Sequence, residues 1–213
     1  MTTIVIPARG GSKRIPHKNL VDLNGKPLIS YAITSSLKVT DEVYVSTDCA
    51  EIEKVSIAYG AKVIKRPIEI STDLCRTESA IEHFLTEVDN VDVFACVQCT
   101  TPLMDWHYLR DGFDMIRSDK FDSVVSVCER AHYYWTSDGK PINFSVGTPR
   151  NRTQDMEKYY EENGAFYITT KESFVANQCL YDGTVGLVIT PNIISLDIDN
   201  VEDLNLISAI LKI

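Results

Sequence analysis

The sequence predicts an α/β fold with a three-layer, mostly parallel sheet. From Ile4 to about Val127, short β-rich runs alternate with stretches of helical periodicity, and each of these stretches buries only one face. Strands that alternate with helices of this length imply right-handed crossovers between parallel strands. With 213 residues and 44% hydrophobic content, the chain can bury the core of one domain, residues 1–213.

Five β-rich runs form the predicted sheet: "TIVIPA", "EVYVSTD", "AKVIKRP", "VDVFACVQ" and "FDSVVSV". Four helices are predicted between them. Their inward faces carry Leu28, Ile29, Ala32, Ile33 and Ser36; Ile52, Val55 and Tyr59; Ile81, Phe84, Leu85 and Val88; and Leu109, Phe113 and Ile116. Ligands of such sheets bind beyond the carboxyl ends of the strands, where we expect the functional site.

After residue 130 the sequence becomes rich in aromatic and polar residues, with turn signals at Asp138-Gly139 and at 147–149. This change predicts a small lobe inserted at about 130–160. A strand "AFYIT", a helix near 171–177 and two β-rich runs around 185–196 are expected to follow. The last helix is expected to begin at Asn200, whose side chain can cap it, with acidic residues in its first turn.

Composition limits the classes of partner. The 21 Lys and Arg residues against 30 Asp and Glu residues give a formal charge of −9, which argues against nucleic acid or an anionic membrane as the main partner. No run approaches the roughly 18 apolar residues of a spanning helix, and the first residues do not resemble a secretory signal. We therefore expect a cytoplasmic protein.

Six scattered cysteines are expected to be reduced and mostly buried. The close pair in "CVQC", residues 96–99, has the spacing of zinc or redox sites. No second Cys or His pair stands at a matching distance. We therefore expect neither a metal nor a redox role for this pair.

The first loop, "RGGSKRIPHKNL" at residues 9–20, concentrates the cations Arg9, Lys13, Arg14 and Lys18 without an acid. Two glycines at 10 and 11 would let the backbone approach a ligand closely. The loop is neither a Walker A loop nor a dinucleotide fingerprint, so the side chains must contact the ligand. Each cation near 4 Å from a phosphate gains on the order of 4 kcal/mol before desolvation, at an effective dielectric of about 20. Four cations suit a triphosphate, although a solvated basic loop is the alternative.

Two carboxylates, Asp197 and Asp199, stand two residues apart in "LDID". On an extended chain they point to the same side. Magnesium usually shares one or two carboxylates with substrate phosphates, so the pair is a candidate metal site. The same spacing occurs in any half-exposed strand, and Asp199 could instead belong to the cap of the last helix.

A third polar patch follows the lobe. Arg150 and Arg152 offer planar groups for a carboxylate or phosphate, and Gln154, Asp155 and Asn163 offer groups for sugar hydroxyls. Ordinary surface polarity is the alternative for each. Gln98, at the end of a buried strand, needs hydrogen-bond partners, and it is either a ligand contact or a strand-end cap.

The segments "IPARGGSKRIPHKNL", "VSTD", "KRP", "VQCTTPL", "RTQDMEKYYEENGAFYI" and "SLDIDNVEDL" occur in order across nearly the whole chain. Together they resemble the acylneuraminate cytidylyltransferase, or CMP-sialic acid synthetase, family. The resemblance implies a nucleotide-diphospho-sugar transferase-like fold and a homodimer formed through the inserted lobe. It also implies an enzyme that uses CTP and magnesium to activate a nine-carbon 2-keto sugar acid, releasing pyrophosphate.

The resemblance also implies roles for individual residues. Nucleotide contacts are expected from Arg9, Gly11, Ser12, Lys18, Asn19, Arg66 and Thr77, the last two at the cytidine. Sugar contacts are expected from Gln98, Gln154, Asp155 and Asn163. Magnesium is expected on Asp197 and Asp199, and Arg9, Lys18 and Arg152 are the expected catalytic residues.

Departures from the family pattern leave the sugar open. Thr153 stands where many members have an arginine, and Glu161 and Glu162 precede "NG" where bacterial sialic acid enzymes often have one. "GGSKRIP" also resembles the pseudaminic acid enzymes, whereas "ENGAFYI" fits the sialic and legionaminic branch. An eight-carbon keto acid or a sugar 1-phosphate is a further alternative substrate. A non-catalytic nucleotide-binding regulator and a purely structural domain are the alternatives from other classes.

Overall fold

The computed structural model describes residues 2–212 and contains one large sheet between two layers of helices. Its strands are β1 (Thr2–Pro7), β4 (Val43–Thr47), β5 (Lys62–Lys65), β6 (Val93–Val97), β7 (Ser123–Arg130), β8 (Tyr159–Thr170) and β9 (Val185–Thr190). A separate two-stranded hairpin consists of β2 (Asp22–Leu23) and β3 (Lys26–Pro27). The helices are α1 (Ile29–Leu37), α2 (Ala50–Ala58), α3 (Thr77–Glu87), α4 (Trp106–Arg117), α5 (Lys171–Asn177) and α6 (Val201–Ile210).

The large sheet has the strand order β5-β4-β1-β6-β8-β7-β9. Every pairing is parallel except the two that β8 makes with β6 and β7. All five strands predicted in the first 130 residues are present, so the mostly parallel α/β fold is confirmed. Their carboxyl ends lie along one edge, which is where the first loop begins.

Side chains of β1 alternate between the two layers, as the period of a strand requires. Ile4 and Ile6 pack into a core with α1, α2 and α4, whereas Val5 packs into a second core with α3 and α5. A smaller third cluster joins Leu28, Ile198 and Ile207 beneath α6. Helices on both faces therefore make the predicted three layers.

The region after β9 differs from the sequence prediction. Residues 192–195 form a turn, and 196–199 have no regular secondary structure, so the second β-rich run expected up to 196 is wrong. Pro191 gives the physical reason, because it has no N–H for a further ladder bond. Asn200 does cap α6, and it forms a capping box with Asp203.

Residues 131–158, between β7 and β8, contain one isolated bridge, Trp135 to Pro141, and a single 3-10 turn at Thr153–Asp155. Tyr133 and Trp135 each pack edge-on against Phe144. The segment lies where the sequence predicted an insertion. Its roles as a separate lobe and as a dimer contact stay predictions.

All six cysteines are free thiols. Cys96 and Cys99 are buried, and burial raises the pKa of the Cys99 thiol to about 12. These thiols therefore stay protonated at neutral pH. Across residues 2–212, no helix is both long enough and apolar enough to cross a membrane.

Candidate active site

A cleft of about 220 Å³ lies at the carboxyl edge of the sheet. Three loops line it, those that follow β1, β5 and β6, together with the first turn of α3. The lining side chains include seven of the residues that the sequence predicted: Arg9, Ser12, Lys18, Asn19, Arg66, Thr77 and Gln98. The chain thus brings together residues that are as many as 89 positions apart, which no local pattern requires.

The four cations of the first loop are all paired with two carboxylates. Arg9 and Lys13 each lie 2.7 Å from Asp73, which follows β5. Asp199 lies 2.5 Å from Arg14 and 3.5 Å from Lys18. The loop therefore contacts acids from distant parts of the chain, although Lys13 and Arg14 stay 78% and 67% exposed.

The two glycines of the first loop have different roles. A Cβ at Gly10 would lie 2.8 Å from that of Cys49, and the Gly10 N–H donates to the carboxylate of Asp48 at 2.8 Å. Gly10 thus lets the loop pack against the segment after β4. A Cβ at Gly11 would meet nothing within 4 Å, so this position leaves open space.

Arg66 is the most unusual polar side chain of the cleft. It is only 8% exposed, and its Nε and Nη2 have no hydrogen-bond partner among residues 2–212. Burial lowers the pKa of the guanidinium, while nearby Asp48 opposes that shift. A guanidinium stays charged in proteins, so two buried donors are available to a ligand with acceptor oxygens.

Lys18 and Asn19 are held by backbone carbonyls. The Lys18 ammonium donates to Ile198 O at 2.9 Å, and the Asn19 amide donates to Arg9 O at 3.1 Å. Gln98 donates only a long contact of 3.9 Å to the sulfur of Cys96. Its side-chain amide is therefore weakly bonded within the fold, and it lines the cleft.

Asp197 and Asp199 lie beside the cleft through their contacts with Thr100 and Lys18, which line it. The surrounding protein raises the pKa of Asp197 by desolvation, and a hydrogen bond from Thr100 partly offsets that effect. The Asp199 carboxylate does not cap α6, since the Asn200 side chain does, but the Asp199 N–H belongs to the cap because it donates to the Asp203 carboxylate at 2.9 Å.

The donor set suits a magnesium ion shared with a nucleotide. Within the described part of the chain, no cluster of three or more His, Cys, Asp or Glu side chains could hold a metal by itself. Two hard carboxylates beside a cationic cleft are what magnesium uses when phosphates and water supply the remaining ligands. Asp197 and Asp199 would hold the ion, which would help neutralise phosphate charge.

The residues predicted near the lobe are not among those lining the cleft. Arg152 lies on the surface and pairs with Asp155 at 2.6 Å, and Gln154 is exposed beside them. Arg150 stacks over the ring of Tyr133, with 4.4 Å between its Cζ and the ring centroid. Within this single chain, the structure does not bring Arg152, Gln154 and Asp155 to the residues that line the cleft.

Asn163 is bonded into the interior. Its amide donates to Thr190 and Ser195 at 2.8 and 3.0 Å, and it accepts from Ser126 and the Ala165 N–H at 2.7 and 3.1 Å. All four hydrogen-bonding positions of the amide are therefore used within the fold. Its predicted contact with a sugar gains no support from this arrangement.

Sequence reasoning missed several residues of the cleft. Thr72, Cys75 and Arg76 also line it, and Asp73 neutralises two of its cations. The segment "STDLCRTES" follows "KRP" after three intervening residues and runs into α3, so its position at the carboxyl edge could have indicated a role. Its side chains alone carry no such signal.

Comparison with known proteins identifies relatives over the whole chain. A family model described as Cytidylyltransferase matches residues 3–192. The chain is 30% identical over 221 aligned positions to "Pseudaminic acid cytidylyltransferase" of Campylobacter jejuni, covering 98% of this chain and 95% of that protein. It is 35% identical to "N-acylneuraminate cytidylyltransferase B" of Danio rerio, covering 92% of this chain and 48% of that protein.

A solved structure shares the fold. It is a CMP:2-keto-3-deoxy-manno-octonic acid synthetase complexed with CTP, with a TM-score of 0.75 and 20% identity. The likeness covers 99% of this chain and 98% of the other. At this identity the match supports the architecture alone.

Proposed function

Because the chain belongs to the cytidylyltransferase family, and is therefore a nucleotidyltransferase, we propose that it transfers CMP from CTP to a nonulosonic, sialic-type 2-keto sugar acid. The anomeric hydroxyl of the acid attacks the α-phosphorus of CTP in line. A bond forms between that oxygen and the α-phosphorus, the bond to the bridging oxygen breaks, and pyrophosphate leaves. The hydroxyl proton passes to solvent.

One observation carries this proposal: Arg9, Lys18 and Arg66 converge in one cleft at the carboxyl edge of the sheet. Three cations on an acidic protein select a small polyanion rather than a nucleic acid. The unpaired buried donors of Arg66 call for acceptor oxygens in the ligand, which a nucleotide supplies. Asn19, also buried there, adds an amide for the nucleoside.

The protein has little covalent chemistry to perform. Positioning and charge neutralisation lower the barrier, with Arg9 and Lys18 facing the phosphates. Magnesium held by Asp197 and Asp199 would add positive charge at the phosphates. Gln98, at the rim of the same cleft, is our candidate for orienting the sugar.

Pseudaminic acid is the second candidate substrate. The relative from Campylobacter jejuni, 95% of whose length aligns with this chain, is named for pseudaminic acid. The relative from Danio rerio, 48% of whose length aligns, is named for N-acylneuraminate. Position 161 carries a glutamate that pairs with Arg130 at 2.5 Å, so it offers no cation to the carboxylate of the sugar acid.

We also propose a homodimer formed through residues 131–158. Trp135, Ile142 and Val146 in this segment are 53%, 61% and 69% exposed. Exposed apolar side chains this close together favour a protein contact. Dimerisation could also bring Arg152 of one protomer to the cleft of its partner.

The experiment is a substrate panel. Pure protein is incubated with CTP, magnesium and one acceptor at a time: sialic, legionaminic or pseudaminic acid, an eight-carbon keto acid, or a sugar 1-phosphate. Pyrophosphate release with a nonulosonic acid is expected, and UTP and ATP serve as matched controls for the nucleotide. No release with any acceptor would overturn the proposal, and tight CTP binding without turnover would favour a regulator.

A further inference from the structure

We propose that the Asp73 carboxylate occupies the polyphosphate subsite of the empty protein. An incoming nucleotide must displace this carboxylate, and the carboxylate returns as pyrophosphate leaves. The proposal rests on the proposed function, since it assumes that the first loop binds phosphates. It concerns a specificity-determining residue outside the set predicted from the sequence.

The Asp73 carboxylate makes the kind of contacts that a bound phosphate group would make. One carboxylate oxygen lies 2.7 Å from Nη2 of Arg9, and the other lies 2.7 Å from Nζ of Lys13. Two oxygens of one anion thus bridge two cations of the first loop. Charge-assisted contacts of this kind are also what a phosphate group would make.

Arg9 also makes a second hydrogen bond, which would remain after a ligand displaces the Asp73 carboxylate. Its Nη1 donates to the carbonyl oxygen of Thr72 at 2.7 Å, and Thr72 lines the cleft. If the Asp73 carboxylate moves away, Arg9 keeps this bond and its orientation, while its charge becomes available to the ligand. Lys13 is 78% exposed, so it can follow the ligand freely.

The Asp73 carboxylate is ionised throughout the neutral range. The Lys13 ammonium, followed by Arg9, holds its pKa below the ordinary value. The permanent negative charge of this carboxylate, which occupies the subsite until it is displaced, opposes each incoming phosphate, and the opposition grows with the charge of the ligand. It therefore weakens the binding of CTP and of the product pyrophosphate, while CMP is affected least.

The test is calorimetric titration of wild type and Asp73→Asn with CTP, pyrophosphate and CMP, each with and without magnesium. At low salt we expect Asp73→Asn to bind CTP and pyrophosphate about five-fold more tightly, as screened repulsion over several ångströms implies. The gain should shrink with added salt, and CMP affinity should change less than two-fold. Unchanged or weaker binding of both polyphosphates by Asp73→Asn would overturn the inference.

Two further variants separate charge from shape. Asp73→Glu keeps the charge and should bind like wild type, so tightening in that variant would also overturn the inference. Asp119→Asn removes an exposed charge from the turn before β7, at the opposite edge of the sheet, and keeps a residue that tolerates its positive φ. It should leave all three affinities unchanged.

Pyrophosphate distinguishes this inference from the proposed function, because it tests the loop without a cytosine. Tighter pyrophosphate binding by Asp73→Asn in a protein that ignores CTP would support the inference and overturn the proposed function. If wild type binds CTP normally and Asp73→Asn binds neither CTP nor pyrophosphate more tightly, the proposed function is supported and the inference is overturned. Failure of wild type to bind either ligand would overturn both.

Discussion

Lys18 donates a hydrogen bond of 2.9 Å from its ammonium group to the carbonyl oxygen of Ile198, and so joins the first loop to the segment that carries Asp197 and Asp199. The side chain is only 16% exposed and also lies 3.5 Å from the Asp199 carboxylate. One cation thus contributes to the cleft wall and holds both candidate metal ligands beside it.

Lys18→Ala should therefore lower kcat/KM for CTP by about 10² or more, which corresponds to about 2.7 kcal/mol of transition-state stabilisation. Arg9→Ala should have an effect of similar size. Steady-state pyrophosphate release measures both, with circular dichroism to show that the fold persists. Lys54→Ala, on the exposed side of α2, is the matched control. Wild-type rates in both loop variants would mean that the loop is only surface.

Asp197→Asn and Asp199→Asn should each reduce activity strongly and shift the magnesium response to higher concentration. Each variant keeps the shape of the side chain but removes a carboxylate that magnesium would use. The measurement is pyrophosphate release against magnesium concentration, with thermal melting alongside. Glu202→Gln removes an exposed charge nearby and should change neither rate nor response. If both aspartate variants respond to magnesium like wild type, neither carboxylate holds the ion.

Asn163→Ala should destabilise the fold by about 1–3 kcal/mol, because the buried Ser126 and Thr190 hydroxyls and the Ala165 N–H each lose a hydrogen bond, although both hydroxyls keep another partner. Chemical denaturation measures this loss, and Asn205→Ala on the exposed face of α6 is the control. A variant with unchanged stability but a raised KM for the sugar acid would instead establish the predicted sugar contact.

Glu42→Gln should lower stability near neutral pH but not in acid. Glu42 accepts hydrogen bonds of 2.7 Å from Lys62 and from Tyr44, and Lys62 above all lowers the pKa of the carboxyl from its ordinary 4.5. A lowered folded pKa stabilises the fold above the unfolded value, and that contribution is lost as pH falls through the folded value.

The expected difference between wild type and Glu42→Gln is about 0.2–1 kcal/mol at pH 7, since the pair is partly exposed, and it should vanish well below pH 4.5. Melting curves between pH 3 and 7 measure it. Glu82→Gln, on an exposed position of α3, should show no such pH dependence. A difference that is constant over this range would mean that the ionised Glu42 carboxylate contributes nothing.

The sequence predicts the layers of this fold well because burial imposes a period on each element. The alternation of Ile4, Val5 and Ile6 between two cores follows from strand geometry alone. The basic loop was identifiable from composition, because four cations after the first strand are unusual in an acidic chain.

Long-range contacts could not be predicted in this way. Nothing local indicates that Asp73 reaches Arg9, 64 positions earlier. The internal hydrogen bonds of Asn163 could not be predicted either, because the residue lies where the register shifts between β7 and β8 at Val125/Val127, and Gly164 adopts a positive φ of 67° there. Polar composition cannot distinguish such an internal amide from a ligand contact.

The antiparallel strand β8 has a consequence for how the protein is made. Strand β8 lies between β6 and β7, both of which precede it in the chain, so these two strands cannot complete their pairing until residues 159–170 have been synthesised. Until then β6 has an open edge, to which another nascent chain could add a strand. The residues that line the cleft, which lie between 7 and 100, are synthesised before β8, whereas the neighbouring carboxylates of Asp197 and Asp199 are synthesised after it.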